Sequence, residues 1–311
     1  MNPVDDVSLA RIIATKCYGA EPRIEPLSQL NNAVFRLRFP QGSKILKLAK
    51  GLEQESIRKE LMLFHLLHQH GIPAPVVEHA DADARLVGRP FFIAASAGDQ
   101  TVADWVGRPG EVAGRLFVEM GSLLARIHGI AFLASGDIRH DGSIAPRNRQ
   151  EYLVRLHRLA GWLAGQGLLD RGEAELFASL PMPSMEGGAL CHTDFHAVQC
   201  IVHEERISAV VDWEEAWAGN PAIDLAIVHT YLDSYCPPQL LRGFFEGYTS
   251  VRPPPSDYDR AYLPVRMAQA LALARVWLGH GRPQLAQAAI VLYRVYCRQW
   301  REGFGACRKG T

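Results

Sequence analysis

The chain has 311 residues, 48% of them apolar and 21% charged, and its 33 basic residues balance 33 acidic ones. This composition excludes wholesale disorder, the length predicts two domains or one large one, and the zero net charge argues against a broad nucleic-acid footprint. No apolar run approaches the ~20 residues of a membrane span, so neither nucleic acid nor membrane is expected as a partner.

The six cysteines are scattered with no C-x-x-C pair, and residues 1–6 carry no apolar core. Both features predict reduced thiols and a cytoplasmic protein.

In chain order, Asp5 or Ser8 caps a helix running to residue 18, where Gly19 suits the position after its last turn. Strands are predicted over residues 23–27, 33–39 and 44–48, separated by Asn31-Asn32 and Pro40-Gln41-Gly42, whose residue types favour turns. Residues 52–70 read as a helix, because Ile57, Leu61, Phe64 and Leu67 recur three or four apart, and Gly71, Pro73 and Pro75 end it. Further strands follow at 76–79, 85–87 and 91–95.

From Gly98 the pattern is mostly helical. Thr101 caps a short helix, a longer one covers 111–130, a polar loop spans 136–149, and helices follow at 150–165 and 170–180. A β-rich island at 189–212 precedes helices at 221–235, 238–249, 256–279 (capped by Ser256) and 283–303. The composition shift near residue 96 predicts an α+β protein divided into 1–97 and 98–311.

The densest polar cluster is Cys191-His192-Thr193-Asp194-Phe195-His196-Ala197-Val198-Gln199-Cys200, between two short strands. The next strand, residues 207–211, ends at Asp212-Trp213-Glu214-Glu215. A strand–turn–strand hairpin returns the chain to its starting level, so it can bring Asp194 and Asp212 together. Two carboxylates and an amide at strand ends suit Mg²⁺, which takes oxygen ligands and few carboxylates. The arrangement leaves one carboxylate free as a base. The same stretch offers Cys191, His192, Asp194, His196, Cys200 and His203 as transition-metal ligands, which keeps a zinc-dependent hydrolase as an alternative.

His192-Thr193-Asp194-Phe195-His196-Ala197-Val198-Gln199, then Val211-Asp212-Trp213-Glu214, then Asn220-Pro221-Ala222-Ile223-Asp224-Leu225-Ala226 resemble the aminoglycoside phosphotransferase and choline kinase family. That family has a two-lobed, protein-kinase-like fold. Its pattern reads H-G-D-x-H-x-x-N, D-[WF]-E and D-P-x-x-D-L-A. Ile45-Leu46-Lys47-Leu48 resembles its nucleotide-lysine strand, Glu60 its helix glutamate, and Leu124, Ile127 and His128 its L-x-x-L-H helix.

The resemblance implies a small-molecule kinase that uses ATP or GTP with Mg²⁺ to phosphorylate a substrate hydroxyl. It assigns Asp194 as base, Asp212 and Gln199 to the metal, and Lys47 to the α/β-phosphates, paired with Glu60. The turn carrying Ser28, Asn31 and Asn32 would cover the phosphates. Ile93, Ala94, Ala95, Ser96 and Ala97 would offer backbone groups to adenine. His192 and Asp224 would support the loop geometry, together with His196, while Glu214 would stand near the metal.

Thr193 replaces the family glycine, Gln199 its asparagine, and Asn220-Pro221 its D-P. The Gln199 change motivates a second alternative, a nucleotide-binding pseudokinase with little turnover. Residues 240–311 hold 11 Arg/Lys and only Glu246, Asp257, Asp259 and Glu302 as acids, which predicts a neutral or anionic acceptor rather than a polycation.

Overall fold

Asp5 accepts the Ser8 backbone N–H at 2.9 Å and so opens α1 (Asp6–Tyr18), and Gly19 closes it at φ 66°, a left-handed position that suits glycine. The computed structural model describes residues 5–28, 32–50, 54–108, 110–146, 149–184 and 187–307. After α1 come β1 (Arg23–Ser28), β2 (Asn32–Phe39), β3 (Gly42–Ala49), α2 (Gln54–Gln69), β4 (Val77–Asp81) and β5 (Phe91–Ala95). The five strands form one antiparallel sheet in the order β1-β2-β3-β5-β4.

Side chains alternate across this sheet. Ala33, Phe35 and Leu37 of β2 are buried with Leu46, Leu48, Phe91 and Ile93 against Ile13 and other apolar residues of α1. The opposite face carries two cross-strand rows. Val34 pairs with Lys47 and Lys47 with Phe92, while Arg36 pairs with Ile45 and Ile45 with Ala94. Phe92 meets Phe64 of α2 edge-on at 5.6 Å, so α2 packs on this second face.

The predicted strand at 85–87 is a turn. Ala84 takes φ 59° and the Asp81 carboxylate accepts the Leu86 N–H at 2.6 Å, which folds the chain back before it can pair. The helix predicted over 52–70 runs from Gln54 to Gln69, and residues 52 and 53 lie outside those described.

The rest of the chain forms β6 (Gln100–Thr101), a 3₁₀ turn at Val102–Trp105, α3 (Val112–Ile127), β7 (Gly136–Ile138), β8 (Ile144–Pro146), α4 (Arg149–Gly165) and α5 (Arg171–Ala178). It continues with β9 (Ala189–Cys191), β10 (Cys200–His203), β11 (Arg206–Val210), β12 (Trp217–Gly219), α6 (Pro221–Tyr235), α7 (Pro238–Val251), α8 (Tyr258–Gly279) and α9 (Pro283–Cys307). The predicted loop at 136–149 therefore contains the β7–β8 hairpin, and the helix predicted to 130 stops at Ile127. Ser256 does not cap α8. The helix starts after Asp257, whose carboxylate instead accepts a hydrogen bond from Asn220 at 2.6 Å.

Two contacts organise this half. Helices α3 and α7 meet backbone to backbone, since a Cβ on Gly121 would lie 1.9 Å from the Phe244 carbonyl oxygen and one on Gly247 the same distance from that of Val118. Helices α4, α5, α8 and α9 share a second core that includes Leu163, Phe177, Leu271, Ile290 and Tyr293. Among the described residues, no helix is long and apolar enough to cross a membrane.

Candidate active site

Two loops converge beside the second face of the sheet. The first joins β9 to β10, and Asp224 fixes its shape. Asn220 caps α6 by accepting the Ala222 N–H at 2.9 Å, which puts Asp224 in the first turn with its carboxylate aimed back at the loop. That carboxylate accepts the N–H groups of His192 (2.8 Å) and Thr193 (2.9 Å) and lies 3.1 Å from His128 Nε2. Burial pushes its pKa up, but these donors outweigh burial and hold it below the ordinary value.

His192 ties the first loop to the second. Its Nε2 donates to the Val211 carbonyl at 2.9 Å and its Nδ1 accepts the Asp194 N–H at 3.3 Å, which requires a neutral ring. Burial lowers its pKa, in agreement. Thr193 and Asp212 adopt φ 67° and 68°, a region costly for non-glycine residues and frequent at functional sites. The Thr193 hydroxyl donates to the Glu215 carbonyl at 3.1 Å, a bond the family glycine cannot make.

The charged groups lie between these loops and the sheet. Asp194 accepts a hydrogen bond from Tyr231 at 2.8 Å, and Gln269 donates to the same phenol oxygen at 2.8 Å, so the phenol proton points at Asp194. Burial raises the Asp194 pKa, but His196, 3.7 Å away, and Tyr231 outweigh it, leaving the carboxylate ionised. The Gln199 amide nitrogen stands 3.2 Å from Asp194 and 3.4 Å from Asp212, so the hairpin brings all three together.

Lys47 is 8% exposed and reaches Glu60 at 2.6 Å, Asp212 at 2.9 Å and Glu214 at 3.2 Å. Burial works against its charge, but the three carboxylates prevail and raise its pKa. Burial pushes Glu60 up to about 7 against the pull of Lys47. Glu214 also accepts from Asn32 at 2.5 Å, which links the start of β2 to the second loop.

Other expected site residues are placed differently. Asn31 lies outside the described residues, and Ser28 ends β1. The Ile93 side chain belongs to the core under α1, and Ile93 and Ala94 are held in the sheet ladder. The N–H groups of Ala95 and Ser96 donate to Val76 and Ser43.

The possible zinc ligands do not gather. Cys200 is in the core and His203 is exposed. Among the described residues, the groups with converging ligand atoms are His128–Cys191–Asp224 and Glu60–Asp212–Glu214. Sequence reasoning missed Tyr231 and Gln269. Tyr231 lies seven residues after Asp224 on one helix face, a spacing that could have flagged it, whereas nothing in α8 marked Gln269.

The model of the phosphotransferase enzyme family matches residues 23–263, and the chain belongs to that family. A thermostable mutant of aminoglycoside phosphotransferase APH(4)-Ia shares the fold with a TM-score of 0.70 over 93% of this chain and 98% of its own, at 16% identity. A mutant of that enzyme in ternary complex with AMP-PNP and hygromycin B gives 0.68 at 17% identity over 93% of this chain and 97% of its own. A macrolide 2′-phosphotransferase from Brachybacterium faecium gives 0.61 at 17% identity over 91% and 97%. The fold is thus α+β, two-lobed and protein-kinase-like.

The mouse protein acyl-CoA dehydrogenase family member 10 is 26% identical over 209 residues. The match takes in 61% of this chain and 18% of that protein.

Proposed function

We propose that the protein is a small-molecule kinase that transfers the γ-phosphate of ATP or GTP to a substrate hydroxyl in a cleft between residues 1–97 and 98–311. The observation that carries this reading is the convergence of Lys47, Asp212, Gln199 and an ionised Asp194 on one site.

Asp194 is the base. It orients the acceptor hydroxyl and receives its proton as the oxygen attacks the γ-phosphorus, while the bond to the β-phosphate oxygen breaks and the nucleoside diphosphate leaves. Tyr231 holds one carboxylate oxygen and leaves the other turned towards the Gln199 side. Lys47 contacts the α/β-phosphates and exchanges its bond to Asp212 for them, while Glu60 keeps it in place. His192 and Asp224 hold the loop.

The oxygen donors of Asp212 and Gln199 fit Mg²⁺, given a Gln199 amide turned to present its oxygen. The ion supplies neutralisation of the phosphate charge, on which phosphoryl transfer depends.

The acceptor is neutral or anionic. Asp194 is flanked by the His196 and Tyr231 rings and, through Tyr231, by the Gln269 amide. Asp233 is already paired with Arg266 at 2.5 Å. Arg266 and Arg294 are spent on internal pairs with Asp233 and Glu173, and the other Arg and Lys of 240–311 still outnumber its four acids, which supports this reading.

The test is calorimetric titration with Mg·ATP and Mg·GTP, then an acceptor screen for nucleotide consumption. Asp194→Asn loses turnover by about 10²–10⁴-fold and keeps nucleotide affinity. Retained turnover in this variant would refute the assigned roles. If nucleotide binds and no magnesium-dependent nucleotide consumption is seen with or without acceptors, the pseudokinase alternative is favoured.

A further inference from the structure

Arg36 lies on the second face of the sheet, in the row Arg36–Ile45–Ala94, adjacent to the row that carries Lys47. Glu25 of β1 stands opposite Arg36 in the same row, and the Arg36 side chain is only 13% exposed. The guanidinium reaches beyond the sheet to the segment after β5, where it lies 3.2 Å from Asp99 and 3.5 Å from the Gly98 carbonyl. That carbonyl is fixed in place, because a Cβ on Gly98 would lie 2.2 Å from the Val202 carbonyl oxygen of β10. Arg36 therefore spans the space between the sheet and the connecting segment. Its Nε is buried and has no hydrogen-bond partner among the described residues.

Leaving a buried N–H unpaired is unfavourable by about 1–3 kcal/mol. Arginine is seldom kept in such a position unless something completes it. A flat guanidinium also stacks on aromatic faces and donates to ring nitrogens and carbonyls.

We propose that Arg36 contacts the base of the bound purine nucleotide, stacking on or donating to the ring between β2 and Gly98. The proposal rests on the reading of this cleft as a nucleotide site. It divides the labour along β2 and β3, since Lys47 serves the phosphates and Arg36, one row away, serves the base. Asp99, 64% exposed, balances the charge so that no unpaired cation is buried with the ring.

The experiment measures calorimetric Kd values for Mg·ATP and for Mg·tripolyphosphate, which has the phosphates and no base. The proteins are wild type, Arg36→Leu and Arg36→Lys, with circular dichroism checking that each variant folds. Arg36→Leu is expected to weaken Mg·ATP about tenfold, in line with a desolvated cation–π contact, and to leave Mg·tripolyphosphate within about twofold. Arg36→Lys, which keeps the charge and loses the plane, falls between and keeps the comparison usable if the leucine variant does not fold. Unchanged Mg·ATP affinity in the variants, or an equal loss for both ligands, overturns the proposal. A wild type that binds neither Mg·ATP nor Mg·GTP overturns the nucleotide reading itself, a result distinct from either of these.

Discussion

Thr193 holds a left-handed backbone position at φ 67° with a β-branched side chain. A non-glycine residue there is strained by about 1–2 kcal/mol, and the hydroxyl bond to Glu215 offsets part of that. Thr193→Ala keeps the strain and loses the bond, whereas Thr193→Gly loses both. The glycine variant should therefore have the higher urea midpoint of the two, and the reverse order would show that a side chain at this φ is not strained.

Tyr231 makes a second test at this scale. Tyr231→Phe removes the donor to Asp194 and leaves Gln269 without that acceptor. Turnover should fall about tenfold while Mg·ATP affinity stays unchanged, because Tyr231 touches none of the groups around Lys47.

Asp194, Asp212, Gln199 and Asp224 were legible because their order and spacing sit in short segments that fold locally. Tyr231, Gln269 and Arg36 were not. Each makes its contact with a residue 37, 38 or 62 positions away, and of the three only Tyr231, on the same face of α6 as Asp224, had a local spacing that could have flagged it.

Among the elements, the crossing of α3 and α7 depends on Gly121 and Gly247. Gly121→Ala places a methyl group on the Phe244 carbonyl and forces the helices apart, which should lower stability by about 1–3 kcal/mol in urea unfolding. Gly114→Ala, on the same helix with open space around it, should not.

The α6–α8 contact carries a pH dependence. Burial, with Arg266 adding to it and Asp233 opposing it, lowers the His229 pKa from 6.5 to about 4, and Tyr258 and Tyr262 hydrogen-bond its ring nitrogens. A folded-state pKa below the unfolded one stabilises the protein above about pH 6.5, and that stability is lost as pH falls towards 4. Thermal midpoints should fall across this window and fall less in His229→Phe. An equal fall in both would place the titration elsewhere.

Most helix limits followed from Gly, Pro and capping residues. The β7–β8 hairpin and the turn at 85–87 did not, because strands of three residues are too short to show an alternation and Asp81 bonds its own loop.

At the scale of the whole molecule, Lys47 joins the sheet to the second loop. Its removal leaves Glu60, Asp212 and Glu214, whose oxygens lie within 4.8 Å of one another, without their cation. Breaking a buried pair from one side is destabilising by about 3–5 kcal/mol. Lys47→Met should therefore melt well below wild type, and millimolar Mg²⁺ or Ca²⁺ should raise its midpoint more than that of wild type. No difference in the response to cations would show that the three carboxylates are not held together once the ammonium is gone.

The Lys47–Asp212 bond also makes ligand entry an exchange. In the proposed reaction an arriving triphosphate does not meet a waiting cation; it must first outcompete a carboxylate for one. The released Asp212 then adds its charge to that of the polyphosphate, and repulsion mounts until a divalent ion takes up the surplus. Nucleotide and magnesium should thus behave as one guest, each a poor visitor without the other.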